Sequence, residues 1–248
     1  MTVEIAKLRR TKVVILGVLL SAGIILFAGM YLFDEGRIEV FQDDPHASWA
    51  GHLVGFCEAL AFLSPLQLSL IASRSVDTEH INGGWLLNAT AGVPPGTLIA
   101  RKLVVSGVLV AVLKIVETAA VLMLPILAGA PAPDAGVLAT WVFFGLGAVG
   151  TSVALLAVML WLAAMTEEQA VVLAIGVVGG FLGIAALLSP TWLAAINPFG
   201  YYAMLTPFTF EEEGIEALNP HWFLWVIYML VAAGTFAVVA NVLNRKEL

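Results

Sequence analysis

Residues 73–102 read SRSVDTEHINGGWLLNATAGVPPGTLIARK and separate two long apolar stretches of the chain. This polar segment carries Arg74 near one end and the pair Arg101 and Lys102 at the other. Because basic residues accumulate in the cytoplasmic loops of membrane proteins, we expect the segment to be a cytoplasmic loop. Within it, residues 77–87 have helical potential and are followed by Gly and Pro, so the sequence predicts a short helix there.

The composition of the chain is that of a membrane protein. Of its 248 residues, 60% are hydrophobic and 12% are charged, whereas a soluble domain has about 45–50% apolar and about 25% charged residues. The net charge of −7 argues against a nucleic-acid partner. The single cysteine, Cys57, excludes a disulfide framework and a cysteine-based zinc site. We therefore expect an integral membrane protein surrounded by a lipid bilayer.

Six apolar runs are long enough to cross a bilayer as helices, which requires about 20 mainly apolar residues. They cover residues 13–33, 49–72, 103–127, 136–165, 170–188 and 222–243. None of them shows the two-residue alternation of barrel strands, so a transmembrane β-barrel is excluded. The predicted fold is all-α, a single polytopic membrane domain over residues 1–248 with six transmembrane helices.

The distribution of basic residues predicts the orientation of the chain. All of them except Arg37 and Lys114 lie before the first run, between the second and third runs, or after the sixth. The positive-inside rule then places both termini in the cytoplasm. The first run exceeds the roughly 7–15 apolar residues of a signal peptide, so we expect it to be retained as a span. Residues 1–12 form either an amphipathic segment along the inner leaflet or a simple basic anchor.

The segment 189–220 is long and unusually apolar for a loop outside the membrane. Its aromatic residues occur at a density typical of the membrane–water interface, and Pro190, Pro198 and Pro207 divide it. We expect short helices that are half-buried at the outer surface or that re-enter the helical bundle.

Three ionisable residues fall inside the predicted spans. Lys114 and Glu117 are three residues apart, so their side chains lie on one helix face within reach of each other. Glu58 lies in the outer half of the second span, at a depth that could meet Glu117. A lone charge near the bilayer centre costs about 2.5–3.5 kcal/mol, so these residues need a reason to be there. Either they form an ion pair that joins the second and third spans, or they line a substrate path or a proton relay.

The fifth run contains two overlapping G-x-x-x-G pairs. The first pair is Gly176 with Gly180, and the second is Gly179 with Gly183. Such pairs leave a flat strip on a helix where another helix can approach closely. The strip serves packing within the subunit or an interface in a dimer.

Motifs of catalysis and nucleotide binding are absent. The chain has no G-x-x-x-x-G-K-[ST] loop, so we expect ATP to bind elsewhere. Its four histidines lack metal-ligand spacing and are expected to be interfacial or solvated, and no H-E-x-x-H motif occurs. Glu167 and Glu168 match part of an intramembrane protease motif but lack partner histidines within the spans. No catalytic residue and no metal site are predicted, and an intramembrane enzyme is disfavoured.

Two short segments carry a family resemblance. The chain opens with E-x-x-K-L-R-R at residues 4–10, and residues 79–87 read EHINGGWLL, followed by Pro94-Pro95 and Arg101-Lys102. Together with the six spans and the basic amino terminus, this pattern resembles the permease subunit of an ABC-2 type exporter. Within that superfamily it is most similar to the lantibiotic-immunity and bacitracin-export branch.

The resemblance implies a working unit of two permeases, identical or related, and two cytoplasmic P-loop ATPases. Residues 73–102 would form the coupling loop that docks into the ATPase. Glu79 and His80 would lie at that contact, whereas Trp85 and Leu86 would anchor the loop's helix to its own subunit. ATP and Mg would bind in the partner ATPase, with no cofactor in this chain.

The resemblance also implies that the second and fifth spans line a central path near Glu58, with residues 189–220 as its outer cap. The expected function is export of an amphipathic compound, such as a peptide antibiotic, across a bacterial plasma membrane. The alternative is a sensory or structural membrane subunit that binds a partner through residues 73–102 without transporting anything. Neutralising Glu58 and Glu117 together should impair the transporter if either residue lines the path, and it should leave the sensory subunit unharmed.

Overall fold

The structure, a computed structural model, describes residues 2–211 and 214–245. Two groups of residues from the sequence analysis lie outside these ranges. They are Lys246, one of the basic residues after the sixth run, and Glu212 and Glu213 of the predicted outer segment 189–220. The first helices are α1 (Thr2–Arg10), α2 (Val13–Gly29), α3 (Arg37–Asp43), α4 (Pro45–His80) and α5 (Gly84–Thr90). They are followed by α6 (Pro95–Leu127), α7 (Ala135–Met165), α8 (Gln169–Leu187), α9 (Thr191–Ile196) and α10 (Tyr201–Met204). An antiparallel hairpin, β1 (Phe208–Glu211) and β2 (Gly214–Ala217), precedes α11 (Trp222–Arg245).

Six helices, α2, α4, α6, α7, α8 and α11, are long and apolar enough to cross a membrane. The prediction of an all-α polytopic fold with six transmembrane helices is therefore confirmed, although the hairpin was not anticipated. Successive spans alternate in direction, so Thr2 and Arg245 lie at the same end of the bundle. We call this the basic end, because it carries Lys12, Arg101 and Arg245, and we call the opposite end the acidic end.

Helices α4 and α6 extend further into the polar segment than predicted. Helix α4 continues to His80 and α6 begins at Pro95, so residues 81–94 alone connect them. The single helix predicted at residues 77–87 is wrong, because its first turn belongs to α4 and a separate helix, α5, follows. Hydrophobicity marks where the hydrocarbon ends, whereas a helix continues until its backbone is interrupted. Helix α4 ends where Ile81 adopts an extended backbone, with φ −79° and ψ 137°. Gly83, with a φ of +67° that glycine adopts readily, then precedes α5.

Helix α4 is the central helix of the bundle and contains Pro65 in its interior. Proline has no N–H, so the carbonyl of Ala61, four residues earlier, loses its intrahelical donor. Helix α8 crosses α4 at this point with its glycines. A Cβ atom on Gly183 would overlap the Ala61 carbonyl oxygen, and one on Gly180 would overlap the carbonyl oxygen of Phe62. The two backbones therefore meet directly, which only glycine permits.

The other two glycines of the strip also face this chain's own residues. Gly176 packs against Ser69 and the Pro65 carbonyl, and Gly179 packs against the ring of Phe199. All four glycines of the strip are buried within the subunit. The dimer-interface alternative therefore has no free glycine surface to use.

The segment between α8 and α11 folds into the bundle. The side chain of Tyr202 in α10 is fully buried, and its hydroxyl lies 2.8 Å from that of Ser152 in α7. The Cys57 thiol of α4 lies 3.3 Å from the Tyr202 carbonyl oxygen and contacts Thr206. Short helices are present as expected, and the inner part of the segment is buried against α4 and α7. Its position relative to a membrane stays a prediction.

Substituting Gly180 by Ala should destabilise the contact between α4 and α8. The added methyl group would overlap backbone, which has little freedom to move, so we expect a cost of about 1–3 kcal/mol. Gly234→Ala in α11 is the matched control, because a Cβ atom there meets nothing within 4 Å. Thermal unfolding in detergent, followed by tryptophan fluorescence, should show a lower melting temperature for Gly180→Ala alone. Equal melting temperatures for the two variants would contradict the packing.

Candidate functional site

The last turn of α4 places Glu79 at the junction of four helices. Its side chain is only 1% exposed. One carboxylate oxygen accepts hydrogen bonds from Lys7 of α1 at 2.7 Å and lies 2.8 Å from the Lys102 ammonium of α6. The other accepts a hydrogen bond from the Asn88 amide of α5 at 2.9 Å. A single carboxylate thus holds α1, α4, α5 and α6 together at the basic end.

Glu4 completes what we call the buried charge cluster, which consists of Glu4, Lys7, Glu79 and Lys102. The Glu4 carboxylate lies 2.9 Å from Lys102 and 3.1 Å from Lys7, and Lys102 also donates to the Ser75 carbonyl at 2.7 Å. Two carboxylates and two ammonium groups balance, and each carboxylate contacts both ammonium groups. Such mutual pairing offsets the cost of removing the charges from water.

Lys7 is held in its charged form by the two carboxylates of the cluster. Partial burial opposes the charge of Lys7, but its hydrogen bonds to Glu79 and Glu4 and their negative charges raise its pKa above the usual value. A raised lysine pKa contributes stability at every pH below the unfolded value and loses it only as the pH rises through the folded value. Lys7 therefore keeps its positive charge, and its ion pairs with Glu4 and Glu79, at physiological pH.

His80 and Trp85 fix the start of α5 on the bundle. His80 Nε2 donates to the Ala163 carbonyl of α7 at 2.8 Å, because a carbonyl can only accept. Its Nδ1 therefore accepts the hydrogen bond from Trp85 Nε1 at 3.3 Å. Three of the four predicted coupling residues, Glu79, His80 and Trp85, are thus engaged inside the subunit. Glu79 in particular is not displayed on the surface.

Leu86 lies on the exposed face of α5, not on the face that packs against the bundle. We expected it to anchor α5 to the bundle, but 56% of its surface is exposed, beside Leu87 with 65% exposed. That expectation is wrong, because Trp85 faces the bundle and the following residues of the helix therefore point away. With exposed Ile81, these leucines form an apolar surface at the basic end, which we call the α5 patch.

A second polar network lies in the middle of the bundle. Lys114 of α6 is buried, and its ammonium group donates to Glu117 at 2.7 Å. It also donates to Ser64 at 2.8 Å and to Gln67 at 2.7 Å, both on α4. Three donors meet three acceptors, so the ammonium group is fully satisfied.

The carboxylate of Glu117 is equally well engaged. It accepts hydrogen bonds from the Ser21 hydroxyl of α2 and from the Gln67 amide at 3.0 Å. The Gln67 amide also donates to the Gly17 carbonyl of α2 at 3.2 Å. The network therefore joins α2, α4 and α6, the arrangement that the ion-pair interpretation predicts.

The polar contacts between α4 and α6 follow one antiparallel register. Glu79 pairs with Lys102, and one turn earlier in α4 the hydroxyls of Ser75 and Ser106 lie 3.2 Å apart. Two turns earlier again, Gln67 meets Lys114. Each step back along α4 is matched by an equal step forward along α6. The buried charge cluster and the central network thus lie on one continuous seam.

His52 is fully buried, whereas an interfacial or solvated side chain was expected. Its Nε2 donates to the Val121 carbonyl of α6 at 2.8 Å, so its Nδ1 accepts from the Tyr31 hydroxyl at 2.8 Å. Val121 lies four residues before Pro125, which has no N–H to donate to that carbonyl. The histidine thus replaces the donor that the proline removes, a role that the helical spacing of Val121 and Pro125 could have suggested.

Glu58 does not meet Glu117, contrary to the expectation from their depths. Among the described residues it forms no ion pair, and its half-buried side chain lines two cavities towards the acidic end. Glu117 instead uses both oxygens within the central network. The register that pairs Gln67 with Lys114 places Glu117 level with Ser64, six residues from Glu58. Glu58 also occupies a different face of α4 from Ser64 and Gln67.

Comparison with known proteins assigns the chain to a family. A family model described as ABC-2 family transporter protein matches residues 1–183, well over half of the chain. The match includes the buried charge cluster, α5 and the central network, and it ends at Gly183 within α8. No curated protein matches the chain.

Removing one partner of the central ion pair should be worse than removing both. Lys114→Met leaves the Glu117 charge buried without its counterion, and breaking a buried pair in this way costs about 3–5 kcal/mol. The double variant Lys114→Met/Glu117→Leu leaves no buried charge and should recover much of the lost stability. Melting temperatures in detergent measure both effects. If the double variant is no more stable than Lys114→Met, the ion pair is not the source of the stabilisation.

Proposed function

Because the chain belongs to the ABC-2 transporter family, we propose that it is the membrane-spanning permease subunit of an ATP-driven exporter. The proposed working unit contains two permeases, identical or related, and two copies of a separate P-loop ATPase that binds ATP and Mg. The basic end faces the cytoplasm by the positive-inside rule, so both termini and the α5 patch lie on the side where an ATPase could reach them.

The α5 patch is the observation that carries the proposal. It consists of the exposed apolar side chains of Leu86 and Leu87 on α5 and of Ile81 in the turn before it, all outside the predicted spans. A short helix with an apolar face can bind in a hydrophobic groove on a partner protein. Since Glu79, His80 and Trp85 hold the helix from behind, docking needs little further ordering of the chain, which favours affinity.

The buried charge cluster supports transmission of force from α5 into the membrane. A displacement of α5 acts on Glu79 through Asn88, and Glu79 is joined to Lys102. Helices α4 and α6 carry these residues, and both continue across the bundle to the central network. The proposed power stroke is therefore a movement of the α4–α6 seam as one unit, with α1 carried along through Lys7.

The aromatic, re-entrant outer segment suits an amphipathic substrate taken from the outer leaflet. We propose a peptide antibiotic or a similar compound, in keeping with the resemblance to the lantibiotic-immunity and bacitracin-export branch, and a bacterial plasma membrane as the location. The internal pairing of Lys114 and Glu117 favours a structural role for these two residues. It is equally compatible with the second candidate, a non-transporting sensory or structural subunit that docks a cytoplasmic partner through the same patch.

Affinity purification of the chain from its native membrane, followed by mass spectrometry, tests the proposal. We expect a stoichiometric P-loop ATPase with the wild-type chain. The double variant Leu86→Glu/Leu87→Glu should lose it, because two charges would have to be desolvated in the apolar contact. Leu127→Glu is the control, since Leu127 is also highly exposed but ends α6 at the acidic end.

Recovery of wild-type chain and the α5 variant with equal amounts of ATPase would contradict the assignment of the α5 patch. Recovery of the wild-type chain without any ATPase, from membranes in which other complexes survive, would contradict the permease proposal and favour the second candidate. The same preparation shows whether a second, non-identical permease is present.

A further inference from the structure

Two cavities in the half of the bundle near the acidic end share Glu58 as a wall residue. The first has a volume of about 450 Å³ and lies between α4 and the segment after α8, with Leu187, Met204 and His221 in its walls. The second has a volume of about 470 Å³ and lies between α3 and α4, next to Gly55. Each volume falls in the range of about 300–1,000 Å³ that is typical of small-molecule sites.

The Glu58 carboxylate lies in a mostly apolar setting. Its side chain is half-buried, and among the described residues it has neither an ion-pair nor a hydrogen-bond partner. The three carboxylates that are more deeply buried, Glu4, Glu79 and Glu117, are all paired with lysine. A carboxylate that is partly removed from water is strongly stabilised by a cation.

The neighbouring ionisable groups do not supply that cation. In the second cavity, the Arg37 guanidinium lies over the ring of Tyr31, with its central carbon 5.2 Å from the ring centroid. Asp44 in the same wall is negative and caps α4 by accepting from the Ala47 N–H. His52 uses both ring nitrogens elsewhere. His221 is in the wall of the first cavity but forms no ion pair with Glu58 among the described residues.

We infer that Glu58 is the recognition carboxylate of a ligand site that spans the two cavities, and that the ligand is an apolar molecule with one positive charge. The apolar walls take the body of the ligand, and Glu58 takes its cationic group. That this ligand is the transported substrate rests on the proposed function; the binding site itself does not.

The inference is tested with two probes of nearly the same shape and opposite charge. The purified chain is placed in phosphatidylglycerol nanodiscs, and the binding of tritiated tetraphenylphosphonium is measured with empty nanodiscs subtracted. Tetraphenylborate is added as competitor. We expect saturable binding of the cation and no competition by the anion.

Three variants locate the binding. Glu58→Gln should weaken tetraphenylphosphonium binding about tenfold or more, because a partly desolvated charge pair is lost. Gly55→Leu should also weaken it by filling the second cavity, where a Cβ atom at residue 55 meets only the Ala28 carbonyl oxygen, 3.9 Å away. Glu39→Gln, which removes an exposed carboxylate at the same end, should leave binding unchanged. Equal melting temperatures show that the variants are folded.

Wild-type affinity in Glu58→Gln, or equal competition by tetraphenylborate, would overturn the inference. Phosphatidylethanolamine added to the nanodiscs distinguishes two sources of the cation. Weaker probe binding would identify an aminophospholipid headgroup as an occupant, whereas unchanged binding would indicate a separate amphiphile, and the cation site stands in both cases. The assay contains no ATPase, so its failure leaves the proposed function intact, and a failed ATPase purification leaves this site intact.

Discussion

The cytoplasmic organisation proposed for this protein depends on one carboxylate, that of Glu79. It is buried at the meeting point of four helices, and it contacts two ammonium groups and one amide. If it were removed, Lys7 and Lys102 would share Glu4 alone, and α5 would lose its polar attachment through Asn88. The geometry supports the proposed transmission of force from α5. The buried side of this helix is held by a charged group in a region of low dielectric constant, where such contacts are strong.

The two internal prolines explain much of the packing within the membrane. Each removes one N–H from its helix and so exposes a carbonyl that water cannot reach in a bilayer. The carbonyl group left without a donor by Pro125 is that of Val121. It accepts a hydrogen bond from His52 of α4, which joins α4 to α6. At Pro65 the exposed backbone of α4 is covered by the glycines of α8. In both cases a local defect in one helix specifies which residue its neighbour must present.

Much of this architecture was predictable because it depends on local properties of the chain. Hydropathy places all six spans, and the three-residue spacing of Lys114 and Glu117 correctly predicts that they lie on one helix face. The environment of Glu79 was not predictable, since its partner Lys7 is distant in sequence and its burial depends on how α1 folds back. The orientation of Leu86 depends on the break between α4 and α5 at residues 81–83, which hydropathy does not reveal. The glycine strip predicts a close helix contact, but only tertiary structure identifies α4 as the helix it contacts.

The distance between α1 and α5 tests the role of Glu79 most directly. Spin labels are attached to cysteines introduced at Ala6 and Thr90, both of which are exposed, in a chain whose native Cys57 is replaced by Ala. Electron–electron resonance should give one narrow distance distribution, which broadens in the Glu79→Ala background and stays narrow in a Glu58→Ala control on the same helix. An unchanged narrow distribution in Glu79→Ala would show that α5 is held by other contacts and would contradict the account.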